Sequence, residues 1–200
     1  DKGGNTLWVS DGSGTLSSVN SGLKGGGPIL IQSQTFAAQT AVNFTTGIDS
    51  TYDKYMFVII NINPSAEPTE LKFKVSTNGG SSYAGPFTTT FFLANNNPSG
   101  GEGLSYQTSY DEAAGTNQAL FRSLGSGASE SCSGILHLFA PSSTTYIKQF
   151  YSTIQGRNYD PQSYECFVGG YVDTTSAIDA VQFYISSGTF DGTITLYGVG

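Results

Sequence analysis

The sequence is poor in charge, because Lys, Arg, Asp and Glu make up only 12% of its 200 residues. A typical globular domain carries about 25%, so Ser, Thr, Asn and Gly must supply most of the polar surface. The net charge is −7, and the eight Lys and Arg residues are scattered along the chain. Nucleic-acid binding is not expected, since no basic stripe is present to neutralise phosphates.

Long apolar runs are also missing, and the longest, residues 55–60, has the length of a strand. A transmembrane helix needs about 20 apolar residues, so we expect no membrane insertion. The two cysteines, Cys132 and Cys166, lack CxxC spacing and are too few for a zinc site or a disulfide framework. They are predicted to be buried free thiols, with a single bridge as the alternative.

The chain has one histidine, His137, and no GxSxG motif. Any Ser-His-Asp or Cys-His arrangement would have to use this residue. Its position within the apolar run ILHLF predicts a packed or hydrogen-bonded core residue instead. We therefore expect no catalytic residues, no bound metal and no cofactor.

Carboxylates offer a weaker route to chemistry. Two converging acids could hydrolyse a glycoside, and the candidates near turns are Asp111, Glu112, Asp160 and Glu165. Nothing in the sequence brings any two of them together, so solvated loop acids are the prediction. Calcium is an alternative for the acids Asp49, Asp53 and Asp191, which flank turns. Capping of those turns is the favoured role.

The pattern after residue 28 indicates β-structure almost throughout. Leu71, Phe73 and Val75 alternate with polar residues, and residues 54–62 are nearly all apolar, as in a central strand covered on both faces. Other strands are predicted at 29–36, 41–45, 70–76, 86–94, 103–109, 118–122, 132–139, 145–155, 164–172, 179–185 and 192–198. Residues 111–115 could form one helical turn at most. The predicted fold is an antiparallel β-sandwich, jelly-roll-like among the Greek-key alternatives.

Residues 1–28 differ from the rest, since eight of them are Gly. Two short apolar segments flank the turn DGSG, which predicts a small β-hairpin followed by a Gly-rich linker. Such a hairpin has no core of its own. We expect it to serve attachment or oligomerisation through Leu7, Trp8 and Val9, with residues 29–200 forming the head domain.

Tyrosines beside Gly- and Asn-rich stretches are the remaining functional signal. Sugar rings stack on aromatic faces, and the candidates for glycan or receptor contact are Tyr83, Tyr106, Tyr110, Arg157, Asn158 and Tyr159. Arg157 and Asn158 adjoin Tyr159, which favours that loop. The alternative is that these tyrosines cover the ends of the sandwich or form a subunit contact.

Four segments carry a resemblance to a known group of proteins. Residues 47–58 (GIDSTYDKYMFV), 75–83 (VSTNGGSSY) and 188–198 (GTFDGTITLYG) resemble patterns that recur in tailed-phage tail-fibre and related virion proteins. Residues 7–14 (LWVSDGSG) are similar to segments that join such heads to a shaft or particle. These motifs are mainly turns and strand fillers, and they bring no catalytic residues with them.

The resemblance implies a β-sandwich head, commonly trimeric, on a virion surface that is extracellular when mature and assembled in the host cytoplasm. It would act as a receptor-binding tail-fibre head, or as a capsid decoration or head-fibre protein. Expected partners are other virion proteins, two further copies of the chain and a host surface glycan. The alternatives are a carbohydrate-binding module of a secreted protein and a glycan-degrading phage depolymerase. A depolymerase is disfavoured because no repetitive β-helix pattern is present.

Overall fold

The structure, a computed structural model, describes residues 27–200 together with two short strands that precede them. In chain order the strands are β1 (Trp8–Ser10), β2 (Leu16–Val19), β3 (Ile29–Gln39), β4 (Ala41–Phe44), β5 (Lys54–Pro64), β6 (Thr69–Ser76), β7 (Phe87–Asn96), β8 (Glu102–Tyr106), β9 (Ala113–Gly115), β10 (Gln118–Leu124), β11 (Cys132–Phe139), β12 (Lys148–Arg157), β13 (Ser163–Val172), β14 (Ala180–Ile185) and β15 (Phe190–Val199). The described residues form no helix, so none is present there that could cross a membrane.

Two antiparallel sheets make up the head. The larger has nine strands in the order β3-β15-β5-β11-β12-β13-β7-β8, with β9 also paired to β7. The smaller has four strands in the order β10-β6-β14-β4. The all-β antiparallel sandwich predicted from the sequence is confirmed, and the jelly-roll topology within that class stays a prediction.

Aromatic rings join the two sheets across the core. Phe57 of the large sheet meets Phe183 of the small sheet edge-to-face, with ring centroids 5.2 Å apart. Phe150 and Phe73 form a second such contact at 5.0 Å. This geometry is favourable between rings and adds about 0.5–1.5 kcal/mol per pair to the burial of their surface. The inward positions predicted for β6, including Phe73, are thereby confirmed.

The twelve strands predicted after residue 28 all form, with boundaries within three residues of the prediction. The short helical turn considered for residues 111–115 is wrong, because Ala113–Gly115 is an extended strand beside β7. Thr89 explains the difference, since its hydroxyl accepts the backbone N–H of Glu112 at 2.9 Å and its own N–H donates to the Glu112 carbonyl at 3.0 Å. These bonds hold the segment along the sheet.

Strand β5 lies between β15 and β11, which confirms its predicted central place. The expectation that both its faces are covered is not met by the described residues. Phe57 and Ile59 are buried inward, whereas Met56 and Val58 are half-buried and Ile60 is exposed on the other side. The reason is geometric, because the four-stranded sheet covers only one face of the larger sheet.

The predicted N-terminal hairpin is confirmed as an antiparallel pair, with Trp8 opposite Val19. Leu7 lies outside the described residues, and for Trp8 and Val9 only the backbone pairing is described. Their role in attachment or oligomerisation stays a prediction. Strand β3 begins at Ile29, the residue predicted to start the head, and the division into residues 1–28 and 29–200 also stays a prediction.

Candidate functional site

The exposed side of the nine-stranded sheet, which we call the outer face, carries apolar and aromatic side chains among Thr, Ser and Gln. Six adjacent strands, from β5 across to β8, contribute their outward side chains to it. One row crosses the whole surface, because the strand register sets each member opposite the next: Val58, Ile135, Thr153, Phe167, Phe92 and Tyr106. Neighbouring rows add Met56, Ile60, His137, Phe139, Tyr151 and Leu104.

Four aromatic rings on the outer face are unusually exposed. Phe167, Phe92, Tyr106 and Tyr151 keep 39%, 42%, 43% and 47% of their surface accessible. Leu104 is 74% exposed. Single apolar residues at a protein surface need no explanation, but neighbouring exposed rings make this surface a candidate contact surface.

Two of these rings hold each other in place. Phe92 and Tyr106 meet edge-to-face with centroids 5.2 Å apart. The Tyr106 hydroxyl donates a hydrogen bond of 2.6 Å to the carboxylate of Asp111. This bond, ahead of burial, raises the pKa of Tyr106. The contact with Phe92 and the hydrogen bond to Asp111 together fix the Tyr106 ring before any ligand arrives, which reduces the entropy lost on binding.

His137 also belongs to the outer face. Its ring lies 4.7 Å from the ring of Tyr151 and stacks near Phe139. It is packed, as predicted, but on the outside of the sheet and not in the core. Burial, with a smaller effect from Lys54, lowers its pKa below the usual 6.5. The imidazole is neutral, and its buried Nδ1 atom has no hydrogen-bond partner. No group at Nδ1 therefore orients His137 as a catalytic base.

A shallow groove of about 350 Å³ runs beside this histidine. Its lining comes from three neighbouring strands and includes Ile135, His137, Tyr151, Gln155 and Glu165. The outward residues of β5, β11, β12, β13, β7 and β8 include one charged side chain away from the strand ends, that of Glu165. Lys54, Arg157 and Glu102 stand at the strand ends. The outer face thus mixes exposed aromatic and aliphatic side chains with polar ones, and it carries few charges.

The tyrosines predicted as contact residues do not gather in one place. Tyr106 lies on the outer face. Tyr110 packs inward, with its ring 5.5 Å from that of Phe91 and the guanidinium of Arg122 4.8 Å from its centre. These two contacts assign Tyr110 to the packing of the β8–β9 connection.

Tyr83 lies apart from the outer face, in the loop between β6 and β7. The residue is half-buried and its hydroxyl oxygen is buried without a hydrogen-bond partner. Burial, followed by the charge of Asp179, raises the pKa of Tyr83. Gly80 (φ +81°) makes room for it, because a Cβ at that position would lie 2.7 Å from the hydroxyl oxygen. This fit indicates a tyrosine that closes its own loop.

The predicted contact loop at residues 157–159 divides its side chains between two roles. Asn158 is buried, and its side-chain oxygen accepts the backbone N–H of Gln162 at 3.0 Å. Arg157 is exposed and pairs with Glu130 at 3.7 Å. Tyr159 is 43% exposed, while its backbone N–H donates to the Ser123 carbonyl at 3.1 Å. Arg157 and Tyr159 are thus accessible to a ligand, and Asn158 serves the turn.

The acids considered for catalysis or calcium are spread over the molecule. Asp111 accepts from Tyr106, Asp160 is exposed in the β12–β13 turn, and Glu165 lies on the outer face. Burial raises the pKa of Glu112. For Asp49 the predicted turn-capping role is confirmed, since it accepts the Thr51 N–H at 2.8 Å. Among the described residues, His, Cys, Asp and Glu form no group of three that could hold a metal ion.

Sequence reasoning missed most of the outer face. Phe92, Tyr151 and Phe167 were not singled out, although each stands next to a buried apolar residue in its own strand. Apolar residues at consecutive positions, as in Phe91-Phe92, signal a strand with two apolar faces. Only residues 54–62 are predicted from the sequence to form such a strand. A comparison of the chain with models of known protein families and with curated proteins found no match.

Proposed function

We propose that this chain is a non-enzymatic structural protein on the surface of a tailed-phage virion. It acts as a receptor-binding tail-fibre head, or as a capsid decoration or head-fibre protein. The observation that carries the proposal is the outer face, a broad surface with exposed aromatic and aliphatic side chains on a rigid sandwich. A surface of this kind is suited to contact with another macromolecule.

The chemistry of the described residues supports a binding role over a catalytic one. His137, the one histidine of the chain, is neutral, stacked and without a hydrogen-bonded partner at Nδ1. Of the acids considered for catalysis, Asp111 and Glu112 are chain neighbours, whereas Asp160 and Glu165 lie on other elements. Nucleophilic and general acid–base mechanisms both need such groups within hydrogen-bond reach of one another.

The virion location is supported by the resemblance of residues 47–58, 75–83 and 188–198 to tail-fibre and related proteins. The low charge and the Gly-rich segment before Ile29 suit a rigid head on a tether. The partners we propose are other virion proteins, two further copies of this chain in a homotrimer and, for the fibre version, a host surface glycan. Tyr159 and Arg157 are the accessible residues for that glycan.

Electron microscopy of intact particles with an antibody against the chain tests this proposal. Label at a fibre tip supports the receptor-binding version, and label on capsid vertices or hexamer centres supports decoration. Particles that contain no copy of the chain, by microscopy and by mass spectrometry of their proteins, would overturn the virion assignment.

A second candidate is a carbohydrate-binding module of a secreted protein. The row of exposed rings from Phe167 through Phe92 to Tyr106 favours it, because sugar rings stack on such flat aromatic surfaces. Under this proposal a monomer binds a defined glycan, and Phe167→Ala abolishes the binding. Binding that survives Phe167→Ala but is lost in Tyr159→Ala would assign the sugar to the β12–β13 turn.

A further inference from the structure

We infer that the outer face of the nine-stranded sheet is covered by a second copy of this chain. The inference deepens the proposed function, since it rests on the role of this face as a contact surface. It names the partner and the residues that meet it. It differs from the expectation that Leu7, Trp8 and Val9 form the subunit contact. Two copies that share this face close a dimer, so the pair is an alternative to the proposed homotrimer.

The size of the outer face matches what an interface requires. A full aromatic side chain presents roughly 200 Å², so the four rings with 39% to 47% exposure contribute roughly 340 Å² together. Leu104 and Ile60, 74% and 43% exposed, bring the total to roughly 500 Å². The half-buried residues Met56, Val58 and Ile135 extend it towards the roughly 800 Å² that each partner buries in a standard interface.

The low charge of the outer face suits a partner surface that is itself low in charge, as the same face of a second copy is. Each chain carries −7, so two copies repel each other over most of their surface. The outer face holds one interior charge, Glu165, and this carboxylate is the position at which the approach of two copies carries an electrostatic cost. Depletion of charge at the centre with enrichment of aromatic residues and Met is the composition of interface cores.

The smaller sheet packs on one side of the larger sheet, and among the described residues no layer covers the other side. A strand that is apolar on both sides belongs in a sheet with a layer on each face, and β5 has this pattern from Tyr55 to Ile60. On β7, β12 and β13 the outward aromatic residues Phe92, Tyr151 and Phe167 stand among polar residues. The four-stranded sheet covers only the inner side. A second nine-stranded sheet would provide the missing layer at the usual spacing of about 10 Å between packed sheets.

The outer face also contains a ridge and a groove that suit each other. Phe167 stands opposite Thr153 at the edge of the groove of about 350 Å³ beside His137. A cavity of about 150 Å³ is enough to hold a benzene ring, so the groove has room for a phenylalanine side chain. Because both features lie on one surface, each copy can offer its ridge to the groove of the other.

Native mass spectrometry and sedimentation of the full chain test the inference. The wild-type chain is expected to associate, and Phe167→Glu is expected to weaken that association at least tenfold because it buries an unpaired charge. Asn43→Glu is the matched control. It adds the same charge at an exposed position on β4 of the small sheet, and it should leave the association unchanged. Ile60→Lys repeats the test from the other half of the face, should Phe167→Glu fail to fold by circular dichroism.

Three results would overturn the inference. The first is a wild-type chain that stays monomeric at roughly 100 µM, far above the Kd of a specific interface of this size. The second is association that both Phe167→Glu and Ile60→Lys retain. The third is an outer face covered by the chain's own N-terminal segment. The last would appear as a monomer in which Phe167→Glu shifts the fluorescence of Trp8, the one tryptophan of the chain. A chain that associates but is absent from virions would instead contradict the proposed function and still support the interface.

Discussion

Phe91 and Phe92 are neighbours in β7, yet Phe91 is fully buried between the sheets while Phe92 is 42% exposed on the outer face. The alternation of a strand produces this division, because successive side chains point to opposite sides of a sheet. One side of the strand therefore builds the fold and the other builds the contact surface.

This division predicts different costs for two adjacent substitutions. Phe91→Ala should lower the free energy of unfolding by about 3–5 kcal/mol, since it leaves a cavity in the core. Phe92→Ala should cost the monomer about 1 kcal/mol or less. Denaturant unfolding at low protein concentration measures both values. Equal costs would show that the outer face is part of the core of a single chain.

The buried Asn158 predicts a structural effect at the β12–β13 turn. Asn158→Ala removes a buried side-chain acceptor and should cost about 1–3 kcal/mol, because the Gln162 N–H then keeps only its contact with the Asp160 carbonyl. Arg157→Ala, which removes an exposed ion pair at 3.7 Å, should stay within about 1 kcal/mol of the wild type. Thermal or denaturant unfolding of the two variants compares them directly. An Asn158→Ala chain as stable as the Arg157→Ala chain would contradict the structural role of Asn158 in the turn.

The two cysteines should remain free thiols under oxidising conditions. Cys132 lies on β11 and Cys166 on β13, with β12 between them, and two strand spacings exceed the limit of about 7 Å between bridged Cα atoms. Burial raises the pKa of Cys166 to about 12 and also that of Cys132. A thiol reagent should therefore react with both cysteines only after denaturation. A mass lower by two hydrogens in air-oxidised, folded protein would contradict this.

His137 predicts a pH dependence of stability. Its pKa in the folded chain is lowered from 6.5, first by burial and then by Lys54. The unfolded chain therefore takes up the proton more readily, and the free energy of unfolding should fall as the pH drops below about 6.5. His137→Gln should flatten that slope between pH 7 and pH 5, where most carboxylates are still ionised. Unfolding curves at several pH values measure it, and an unchanged slope in His137→Gln would assign the effect to other groups.

The fold could be predicted from the sequence because its signals are local. Alternation in β6 and the turns between strands depend on neighbouring residues, and their predictions are confirmed. The outer face depends instead on the register of six strands, which joins Phe92, Tyr106 and Phe167 from distant segments. The proximity of tyrosines to Gly-rich loops was a poorer guide, since Tyr110 points into the packed interior.

Hydroxyl-radical footprinting of Tyr151 and Tyr159 tests the central claim, that the outer face is a contact surface in the working particle. The two tyrosines are 47% and 43% exposed in the single chain, so they should be oxidised at similar rates in dilute, dissociated protein. In purified virions Tyr151 should be protected severalfold relative to its dilute rate. Protection of Tyr159 has no bearing on the outer face. Tyr151 oxidised as fast in virions as in the dilute chain would contradict the account.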